Sequence, residues 1–341
     1  MKIIEIHGSS GESTIVIGES LRDLQKHLPA EKVVIITDTN VRRYHSQDFP
    51  SCEVIEIGTG EKIKDLDTVK DIYGRLLDLE TDRSSFIVGI GGGIVCDITG
   101  FVASTYLRGV SFGFVSSTLL SQVDASIGGK NGVNYRGYKN MVGVFNQPEF
   151  VICDMRLLRT LPEREILCGL AEVVKHAVIG DADLFSYLEE HYKEGLALNT
   201  DVIEKLVYDS IVVKSSIVNR DEKEIGERRK LNFGHTFGHA IEKITGIPHG
   251  EAVSAGMVIA AAISVKRGYL QVKDAERIKG LLKKLNLTTR PQLEMETVVD
   301  ALKRDKKRKG DNIDFVFLHG IGHAAVERIS IKDLSIMVKM M

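Results

Sequence analysis

Hydrophobic residues in the first half of the chain form short β-branched runs, with segments of helical spacing between them. In the segment 66–79, apolar residues recur at positions 66, 69, 72, 73, 76 and 77, which is the spacing of one helix face. Strands that alternate with helices predict a mostly parallel sheet. The predicted strands are residues 32–38, 52–57, 86–90 and 112–115, and the predicted helices are 66–79 and 94–107.

The second half of the chain has a mainly helical pattern. Pro162 suits the first turn of a helix, and the acids Glu163 and Glu165 complement the helix dipole. The two halves predict an α/β domain over residues 1–155 and an α-helical domain over residues 156–341. The predicted helices are about 163–178, 201–218, 236–245, 251–265, 273–285 and 295–304, and a strand pair spans about 313–329 with its turn at 320–322.

The composition is typical of a soluble globular protein and argues against a nucleic-acid-binding or membrane-spanning protein. The 341 residues are 43% hydrophobic and 27% charged, as expected of a soluble globular chain of about two domains. Lys and Arg number 45 against 47 Asp and Glu, so a nucleic-acid partner is not expected. The longest uncharged stretch, 109–123, is shorter than a membrane span of about 20 residues. Early charges at Lys2 and Glu5 argue against a signal peptide, and four scattered cysteines fit a cytoplasmic location.

Two segments of the first half are typical of a dinucleotide site. A predicted strand runs into Gly91–Gly93 and then into a helix that contains Asp97. Backbone N–H groups at a helix N-terminus favour a phosphate, whereas a tight turn without a ligand is the alternative. In the segment 60–64, Glu61 can accept a hydrogen bond from a ribose hydroxyl and Lys64 can face a phosphate. By itself, that segment is also typical of a solvated charged loop.

The segment 117–130 is too polar for a core and too apolar for a linker, which is typical of a functional loop. It ends at Lys130, and Lys139 and Asn140 follow closely, so these side chains can gather around an anion. A surface hairpin is the alternative. The basic run 228–230 and the longer one at 303–309 are usually solvated faces; a nucleic-acid patch or an inward-pointing anion contact are the other interpretations.

Histidines are concentrated in the second half, where three of the ten lie between 235 and 249. His235 and His239 are four residues apart and share a helix face, and Gly246 and Pro248 break the chain before His249. These nitrogens and a carboxylate suit a catalytic zinc with three protein ligands and one open position. The carboxylate is Glu172, which lies in an otherwise apolar helix segment. Which three of the four hold the metal stays open, and an ion pair of Glu172 with a lysine is the alternative.

In combination these motifs resemble the 3-dehydroquinate synthase family, within the sugar phosphate cyclase superfamily. The resemblance covers nearly the whole chain, from Asp38 to the run at 305–307. At Ser116 the family usually has a proline, and at 135–138 it has a Pro and a Gly instead of the Tyr-Arg-Gly-Tyr found here. The matching segments are GEKIK at 60–64, GGGIVCD at 91–97, YLRG at 106–109, STLLSQVDASIGGKNGVN at 117–134, KNMVGVFNQP at 139–148, AEVVKH at 171–176, LNFGHTFGHAIE at 231–242 and HGEAV at 249–253.

The resemblance implies an N-terminal Rossmann-like parallel-sheet domain and a mainly α-helical C-terminal metal-binding domain. It implies NAD as cofactor and zinc, or cobalt, held by Glu172, His235 and His249, with His239 on the substrate side. The implied NAD contacts are Asp38, Asn40, Glu61, Lys64, Gly92, Gly93, Asp97, Ser117, Thr118, Asp124, Lys130, Lys139 and Thr160. The implied substrate contacts are Arg108, Lys130, Asn140, Lys175, Lys214, Glu224, Arg228, Asn232, His239 and Lys306 or Lys307.

The implied activity is that of a carbon–oxygen lyase of the shikimate pathway, which supplies aromatic amino acids. Such an enzyme converts 3-deoxy-D-arabino-heptulosonate 7-phosphate to 3-dehydroquinate and phosphate. The steps are transient oxidation by NAD, β-elimination of phosphate, re-reduction, ring opening and aldol closure. A homodimer is implied because Arg108 belongs, in this family, to the neighbouring subunit's site.

Three other classes compete with this interpretation. Another cyclase, like 2-deoxy-scyllo-inosose synthase or 2-epi-5-epi-valiolone synthase, acts on a substrate without a carboxylate and has less need of Lys214 and Arg228. A metal-dependent polyol dehydrogenase needs no pocket for a leaving phosphate. A non-catalytic binding protein needs no zinc triad beside a dinucleotide loop. The motif set therefore favours the synthase.

Overall fold

The chain folds into two units, residues 1–162 and 163–341. A computed structural model describes residues 1–29, 32–290, 293, 297–298, 302 and 311–339. The domain boundary expected from the sequence, after residue 155, lies seven residues before the division between the units. Most of the predicted helix at 295–304 and all of the basic run at 303–309 lie outside the described residues. Among the helices of the described part, none has the length and apolar character needed to cross a membrane.

The first unit is built on a seven-stranded sheet in the order β1-β2-β9-β6-β5-β3-β4. Only β1 and β2 are antiparallel, and the other pairs are parallel, as the alternation of strands and helices predicts. The strands are β1 (Lys2–Gly8), β2 (Gly11–Ile17), β3 (Val33–Asp38), β4 (Glu53–Ile57), β5 (Phe86–Gly91), β6 (Ser111–Ser116) and β9 (Phe150–Cys153). The helices are α1 (Thr39–His45), α2 (Leu66–Asp78) and α3 (Gly93–Thr105).

The core of this unit lies on the parallel strands. Ile35, Val88, Val115 and Ile152 come from β3, β5, β6 and β9, and they share one buried apolar cluster. Strands buried on both faces read as continuous apolar runs, which is why the sequence pattern predicts three of these four. It misses β9, which is only four residues long, and it misses β1 and β2. In β1 polar and apolar residues interleave on a largely exposed edge strand.

Helix α3 ends two residues earlier than the sequence predicts. The predicted helix continues to residue 107, but Leu107 and Arg108 have φ values of 49° and 70°. L-residues pay a steric cost in this left-handed region, so these two residues break the helix rather than extend it. Gly109 follows with φ 121°, and β6 begins at Ser111. The strained pair leaves the Arg108 side chain exposed.

A two-stranded hairpin completes the first unit. It consists of β7 (Lys130–Tyr135) and β8 (Tyr138–Phe145), joined through Arg136 and Gly137, both with positive φ. The surface hairpin that was the alternative for this region does form, but only from Lys130 onward, because residues 121–125 form a single helical turn. The hairpin carries Lys139 and Asn140 on β8.

The buried carboxylate of Asp154 joins the end of β9 to the start of the chain. It accepts hydrogen bonds from Leu21 N–H at 2.8 Å, from Arg156 N–H at 3.0 Å, and from the Arg156 guanidinium at 2.8 and 2.9 Å. Burial alone would raise the pKa of Asp154, but the bonds from Arg156 and Leu21 outweigh it and hold the pKa below its usual range.

Asp154→Asn is therefore expected to lower the free energy of unfolding at pH 7 by about 1.5–3 kcal/mol, the range for hydrogen bonds to a charged group. Because the folded-state pKa is depressed, this contribution is present above about pH 4, the unfolded value, and is lost as the pH falls through the folded value. Urea unfolding at pH 7 and pH 3 measures it. Asp71→Asn, an exposed residue of α2, is the control. Equal stability of the two variants at pH 7 would contradict the assignment.

The second unit is mainly helical. Helices α4, α6, α7, α8 and α9 confirm five predicted helices to within two residues at each end, whereas α5 and α10 were not predicted. The strand pair is confirmed as an antiparallel hairpin with its turn at 320–323. The elements are α4 (Glu163–Gly180), α5 (Ala182–Leu196), α6 (Thr200–Arg220), α7 (His235–Thr245), α8 (His249–Lys266), α9 (Val272–Lys284), β10 (Asn312–Gly320), β11 (His323–Ser330) and α10 (Ile331–Lys339).

Candidate active site

The carboxyl ends of three parallel strands bring predicted cofactor residues to one sheet edge. Thr37 of β3 pairs with Ile90 of β5, and Gly91 pairs with Ser116 of β6. Asp38, Gly92 and Ser117 each follow these residues directly, so they lie in line along that edge. In open parallel sheets this is where ligands bind.

Asp38 has a structural task at this edge. Its carboxylate accepts hydrogen bonds from the N–H groups of Asn40 at 2.8 Å and Val41 at 3.0 Å, which caps α1. Burial raises the pKa of Asp38 above its ordinary value, despite these two hydrogen bonds. The same helix carries His45, whose Nε2 is 3.0 Å from the hydroxyl of Thr160. Three predicted NAD residues therefore lie on or beside one short helix.

The glycines at the start of α3 are required by packing inside the unit. A Cβ on Gly91 would lie 2.5 Å from Val95, one on Gly92 would lie 2.9 Å from Thr118, and one on Gly93 would lie 2.8 Å from Ala125. Gly92 is the N-cap of α3, so the N–H groups of the first helical turn have no partner within the helix. The loop thus has the features that an approaching phosphate needs, although packing alone already explains its glycines.

Lys64 lies in a buried polar network of the first unit. Only 5% of Lys64 is exposed, and its ammonium contacts the carboxylate of Asp97 and lies 2.6 Å from Oδ1 of Asn140. The backbone N–H of Asn140 donates to Asn134, which in turn donates to Glu61 at 2.7 Å. The structure therefore unites predicted NAD residues with a predicted substrate residue, through an asparagine for which the sequence indicated no role.

The hydroxyl of Ser117 suits a bound ligand. Ser117 is 3% exposed, and its Oγ has no hydrogen-bond partner among the described residues. A buried hydroxyl without a partner costs free energy, which a polar group of a cofactor would offset. Next to it, Thr118 is bonded to Ser121 at 3.0 Å. The residues at this edge fit a dinucleotide such as NAD.

Glu172, His235 and His249 form a candidate metal centre in the second unit. Oε1 of Glu172 lies 3.6 Å from Nε2 of His235 and 3.5 Å from Nε2 of His249. Ligand atoms about 2.0–2.1 Å from a tetrahedral zinc are about 3.3 Å apart, so these separations fit a shared ion. Glu172 is fully buried and also contacts the ammonium of Lys175, so the ion-pair alternative and the metal interpretation both describe it.

The other ring nitrogen, Nδ1, of both His235 and His249 lies close to an oxygen atom. Nδ1 of His235 lies 3.2 Å from the carbonyl oxygen of Phe233, and Nδ1 of His249 lies 3.2 Å from Oε2 of Glu242. Each Nε2 is thereby left facing Glu172. Desolvation alone would lower the pKa of His249, but hydrogen bonds to Glu172 and Glu242 outweigh it and raise the pKa to about 9.

Zinc binding is consequently expected to depend on pH. Below about pH 9 the ring of His249 is protonated without a metal, so zinc must displace a proton. The zinc affinity is expected to rise about tenfold for each pH unit up to that value and then to level off. Competition with a chromophoric chelator at pH 7, 8 and 9 measures this. An affinity that is flat between pH 7 and pH 8 would contradict it.

Glycines bring α7 and α8 close enough to form the metal centre. Gly234 adopts φ 78° and starts α7 at His235. A Cβ on Gly256 of α8 would lie 2.0 Å from the carbonyl oxygen of Gly234, and one on Gly250 would lie 2.4 Å from Cα of Cys168 on α4. The backbones of α7, α8 and α4 therefore meet without side chains between them, next to the residues that could hold a metal.

Buried cations are a second feature of this unit. Lys175 is 1% exposed, Lys214 is 5% exposed and Arg228 is 2% exposed. Buried cations are rare unless partners offset the lost hydration, and one of these three, Lys175, contacts the buried carboxylate of Glu172. Asn232 donates to the Glu224 carboxylate, and the Arg228 guanidinium donates to the carbonyl of Glu222.

One residue that the sequence patterns did not single out, Asp221, organises the loop before Arg228. Its carboxylate accepts backbone N–H bonds from Ile225 at 2.9 Å, Gly226 at 2.7 Å and Arg228 at 2.9 Å. Burial alone would raise the pKa of Asp221, but these bonds outweigh it and hold the pKa below its usual range. Within the loop, Glu224 has φ 58°. In the sequence, the only feature that could have pointed to Asp221 is its position directly after a long predicted helix.

The predicted site residues divide between the units. Arg108 and Lys130 are exposed on the first unit, and His239 is half-buried on α7 with its ring centroid 5.2 Å from that of His235. Lys306 and Lys307 lie outside the described residues. The first unit also holds Asp38, Asn40, Glu61, Lys64, Gly92, Gly93, Asp97, Ser117, Thr118, Asp124, Lys139, Asn140 and Thr160. The second also holds Glu172, Lys175, Lys214, Glu224, Arg228, Asn232, His235 and His249.

Two family models match the sequence. One is described as 3-dehydroquinate synthase N-terminal and matches residues 54–168; the other is described as 3-dehydroquinate synthase C-terminal and matches residues 169–308. A 3-dehydroquinate synthase of Acetivibrio thermocellus is 43% identical over 296 residues, which cover 84% of this chain and 82% of the relative. That of Halorhodospira halophila is 42% identical over 323 residues, covering 92% and 91%.

A solved structure shares the whole fold. A 2-deoxy-scyllo-inosose synthase complexed with carbaglucose-6-phosphate, NAD⁺ and Co²⁺ is 25% identical in sequence. It superposes with a TM-score of 0.88 and covers 99% of this chain and 100% of its own. The likeness confirms the predicted class, an N-terminal Rossmann-like domain and a mainly helical C-terminal domain.

Proposed function

Because the chain belongs to the 3-dehydroquinate synthase family, we propose that it converts 3-deoxy-D-arabino-heptulosonate 7-phosphate to 3-dehydroquinate and phosphate. This reaction needs a site for NAD, a site for a divalent metal and cationic groups for a substrate with a carboxylate and a phosphate. NAD is regenerated within each cycle, so it acts as a catalyst and is not consumed.

The observation that carries this proposal is the pairing of a metal centre with buried cations in the second unit. Glu172, His235 and His249 bring one oxygen and two nitrogens together, and they would hold zinc or cobalt. The metal would supply Lewis-acid polarisation of a substrate oxygen. Lys214 and Arg228 would bind the substrate carboxylate, since both are cationic and lie in the same unit as the candidate metal centre. A cyclase whose substrate has no carboxylate gains nothing from them.

The first unit supports the use of NAD. The sheet edge at Asp38, Gly92 and Ser117 offers a capped helix, helix N-terminal N–H groups without a partner inside the helix, and a buried hydroxyl. NAD would supply a reversible hydride acceptor. Lys130 and Asn140 would contact the substrate phosphate, and Asn140 is already held by the Lys64 network.

We assign proton transfer to a side chain of the second unit. His239 is a half-buried imidazole, and we assign it the transfer of a proton to or from substrate. Lys175 would hold Glu172 in place through their contact while its charge faces the anionic substrate. Asn232 and Glu224, bonded to one another, would contact substrate hydroxyls.

We further propose that the enzyme is a cytoplasmic homodimer. Arg108 is exposed, in the left-handed region, on a chain segment that the family uses in the neighbouring subunit's site. The hairpin β7–β8 also exposes Tyr138, Met141 and Phe145. Sedimentation of wild type and Arg108→Ala, followed by mixing of Arg108→Ala with an inactive Lys214→Ala chain, tests this. Restored activity on mixing supports a shared site, and none argues against it.

Phosphate release tests the activity itself. The purified chain is given the heptulosonate phosphate with catalytic NAD, with and without a chelator. Stoichiometric phosphate, no net NADH and loss of turnover with chelator are expected. Release only from glucose 6-phosphate or sedoheptulose 7-phosphate would assign the chain to another cyclase branch. Steady accumulation of NADH on simple polyols would identify a dehydrogenase instead.

A further inference from the structure

The side chain of Glu242 lies against one of the metal-site histidines. Its Oε2 is 3.2 Å from Nδ1 of His249, and 13% of the Glu242 side chain is exposed. The opposite ring nitrogen, Nε2, lies 3.5 Å from Oε1 of Glu172. One nitrogen of His249 therefore faces the metal centre while the other faces Glu242.

Helix α7 and the turn after it put Glu242 in this place. His235, His239 and Glu242 follow each other at intervals of four and three residues, so they lie along one helix face. The helix ends at Thr245 and is capped by Gly246, whose φ is 70° and whose N–H donates to the Glu242 carbonyl at 2.8 Å. This C-cap turns the chain back, and His249 begins α8 three residues later. The backbone carbonyl of Glu242 thus accepts a hydrogen bond from the turn before His249, and its side chain contacts the His249 ring.

We propose that Glu242 is a positioning residue of the metal centre. Its carboxylate accepts the N–H of Nδ1 and so fixes the tautomer and the ring orientation in which Nε2 of His249 is the ligand atom. The negative charge also makes the imidazole a stronger donor to a metal, and together with Glu172 it balances a divalent ion. His235 has a weaker counterpart in the neutral Phe233 carbonyl. The inference rests on the proposed function only for the identity of the three ligands.

Zinc affinity of the full chain tests this role, measured with Zn²⁺ alone by competition with a chromophoric chelator. Glu242→Ala is expected to raise the dissociation constant about 10–100-fold, the effect typical of partners behind a metal ligand. Glu242→Gln keeps an acceptor oxygen without the charge, so its effect is expected to be smaller. Glu251→Gln is the matched control: it removes the same charge two residues after His249, but Glu251 accepts a bond from Thr288 at 2.7 Å. Its zinc affinity is expected to equal that of the wild type.

A spectroscopic measurement separates positioning from a folding defect. The visible absorption of the Co²⁺-loaded chain is expected to shift in both Glu242 variants and not in Glu251→Gln, while the far-ultraviolet circular dichroism of the metal-free proteins stays unchanged. If Glu242→Ala does not fold, Glu242→Gln carries the test.

The outcomes distinguish this inference from the proposed function. Wild-type zinc affinity and an unshifted cobalt spectrum in the Glu242 variants would overturn the positioning role, even in an enzyme that releases phosphate. A wild-type chain that binds no zinc would overturn both. Tight zinc binding that falls in Glu242→Ala, in a chain that releases no phosphate from the heptulosonate, would support the positioning role and remove only the proposed function.

Discussion

The variant Glu172→Gln is expected to bind zinc at least about 100-fold more weakly than the wild-type chain and to lose phosphate release with it. Protein zinc sites bind with about 10–16 kcal/mol, so one of three protein ligands represents roughly 3 kcal/mol or more. An amide is neutral and a poor zinc ligand. Glu172 is fully buried, and its Oε1 is the atom that both Nε2 atoms face.

The measurement is zinc content after dialysis against a weak chelator, together with the rate of phosphate release. The control is Glu165→Gln, because Glu165 is an exposed residue of the same helix. This variant is expected to keep its zinc content and its rate of phosphate release. Because Glu172 also contacts the buried Lys175, circular dichroism must show that the variant is folded. A folded Glu172→Gln chain with a full zinc complement would show that the metal lies elsewhere.

The variant Gly256→Ala is expected to lower the free energy of unfolding by about 3 kcal/mol, the upper end of the usual range for overpacking. The added Cβ would lie 2.0 Å from the carbonyl oxygen of Gly234 and 2.8 Å from the backbone nitrogen of Gly238. These are backbone atoms, so no side-chain rotation relieves the clash. Helix α8 must move away from the start of α7, which separates His249 from His235, and zinc affinity is expected to fall as well.

Gly280→Ala is the matched control for this change. Gly280 lies within α9, and a Cβ there would meet nothing within 4 Å. Alanine has a higher helix propensity than glycine, so this variant is expected to gain up to about 1 kcal/mol. Chemical denaturation of the metal-free proteins measures both. If the two variants change stability in the same direction, the close approach of α7 and α8 does not set the stability of this unit.

Long elements with a clear period were predictable from the sequence. The strands β3, β5 and β6 are continuous apolar runs, and helices such as α4 and α6 are long enough to show their period. Helix α5 was missed although Asp181 caps it, because its apolar positions are interrupted by charged and aromatic residues. The break at Leu107 was missed because nothing in local propensity marks a leucine for left-handed backbone.

The sequence predicts the chemical groups of the candidate site. It does not predict the residues that hold those groups in place by hydrogen bonds. Histidine spacing and one buried glutamate indicate a metal, and the family resemblance selects Glu172, His235 and His249. Glu242 and Asp221 act through hydrogen bonds whose partners are set by the turns between helices, and no periodicity reveals those. For the glycines at 91–93 the pattern predicts a phosphate contact, and the packing around them is a second reason for glycine that the sequence does not reveal.

The residues expected to bind NAD and those expected to hold the metal lie in different units. Every residue with an expected NAD contact lies in residues 1–162, and every residue of the candidate metal centre lies in residues 163–341. Since no expected metal ligand lies in the first unit, we expect the metal-free protein still to bind NAD, which isothermal titration of the chelated chain would measure.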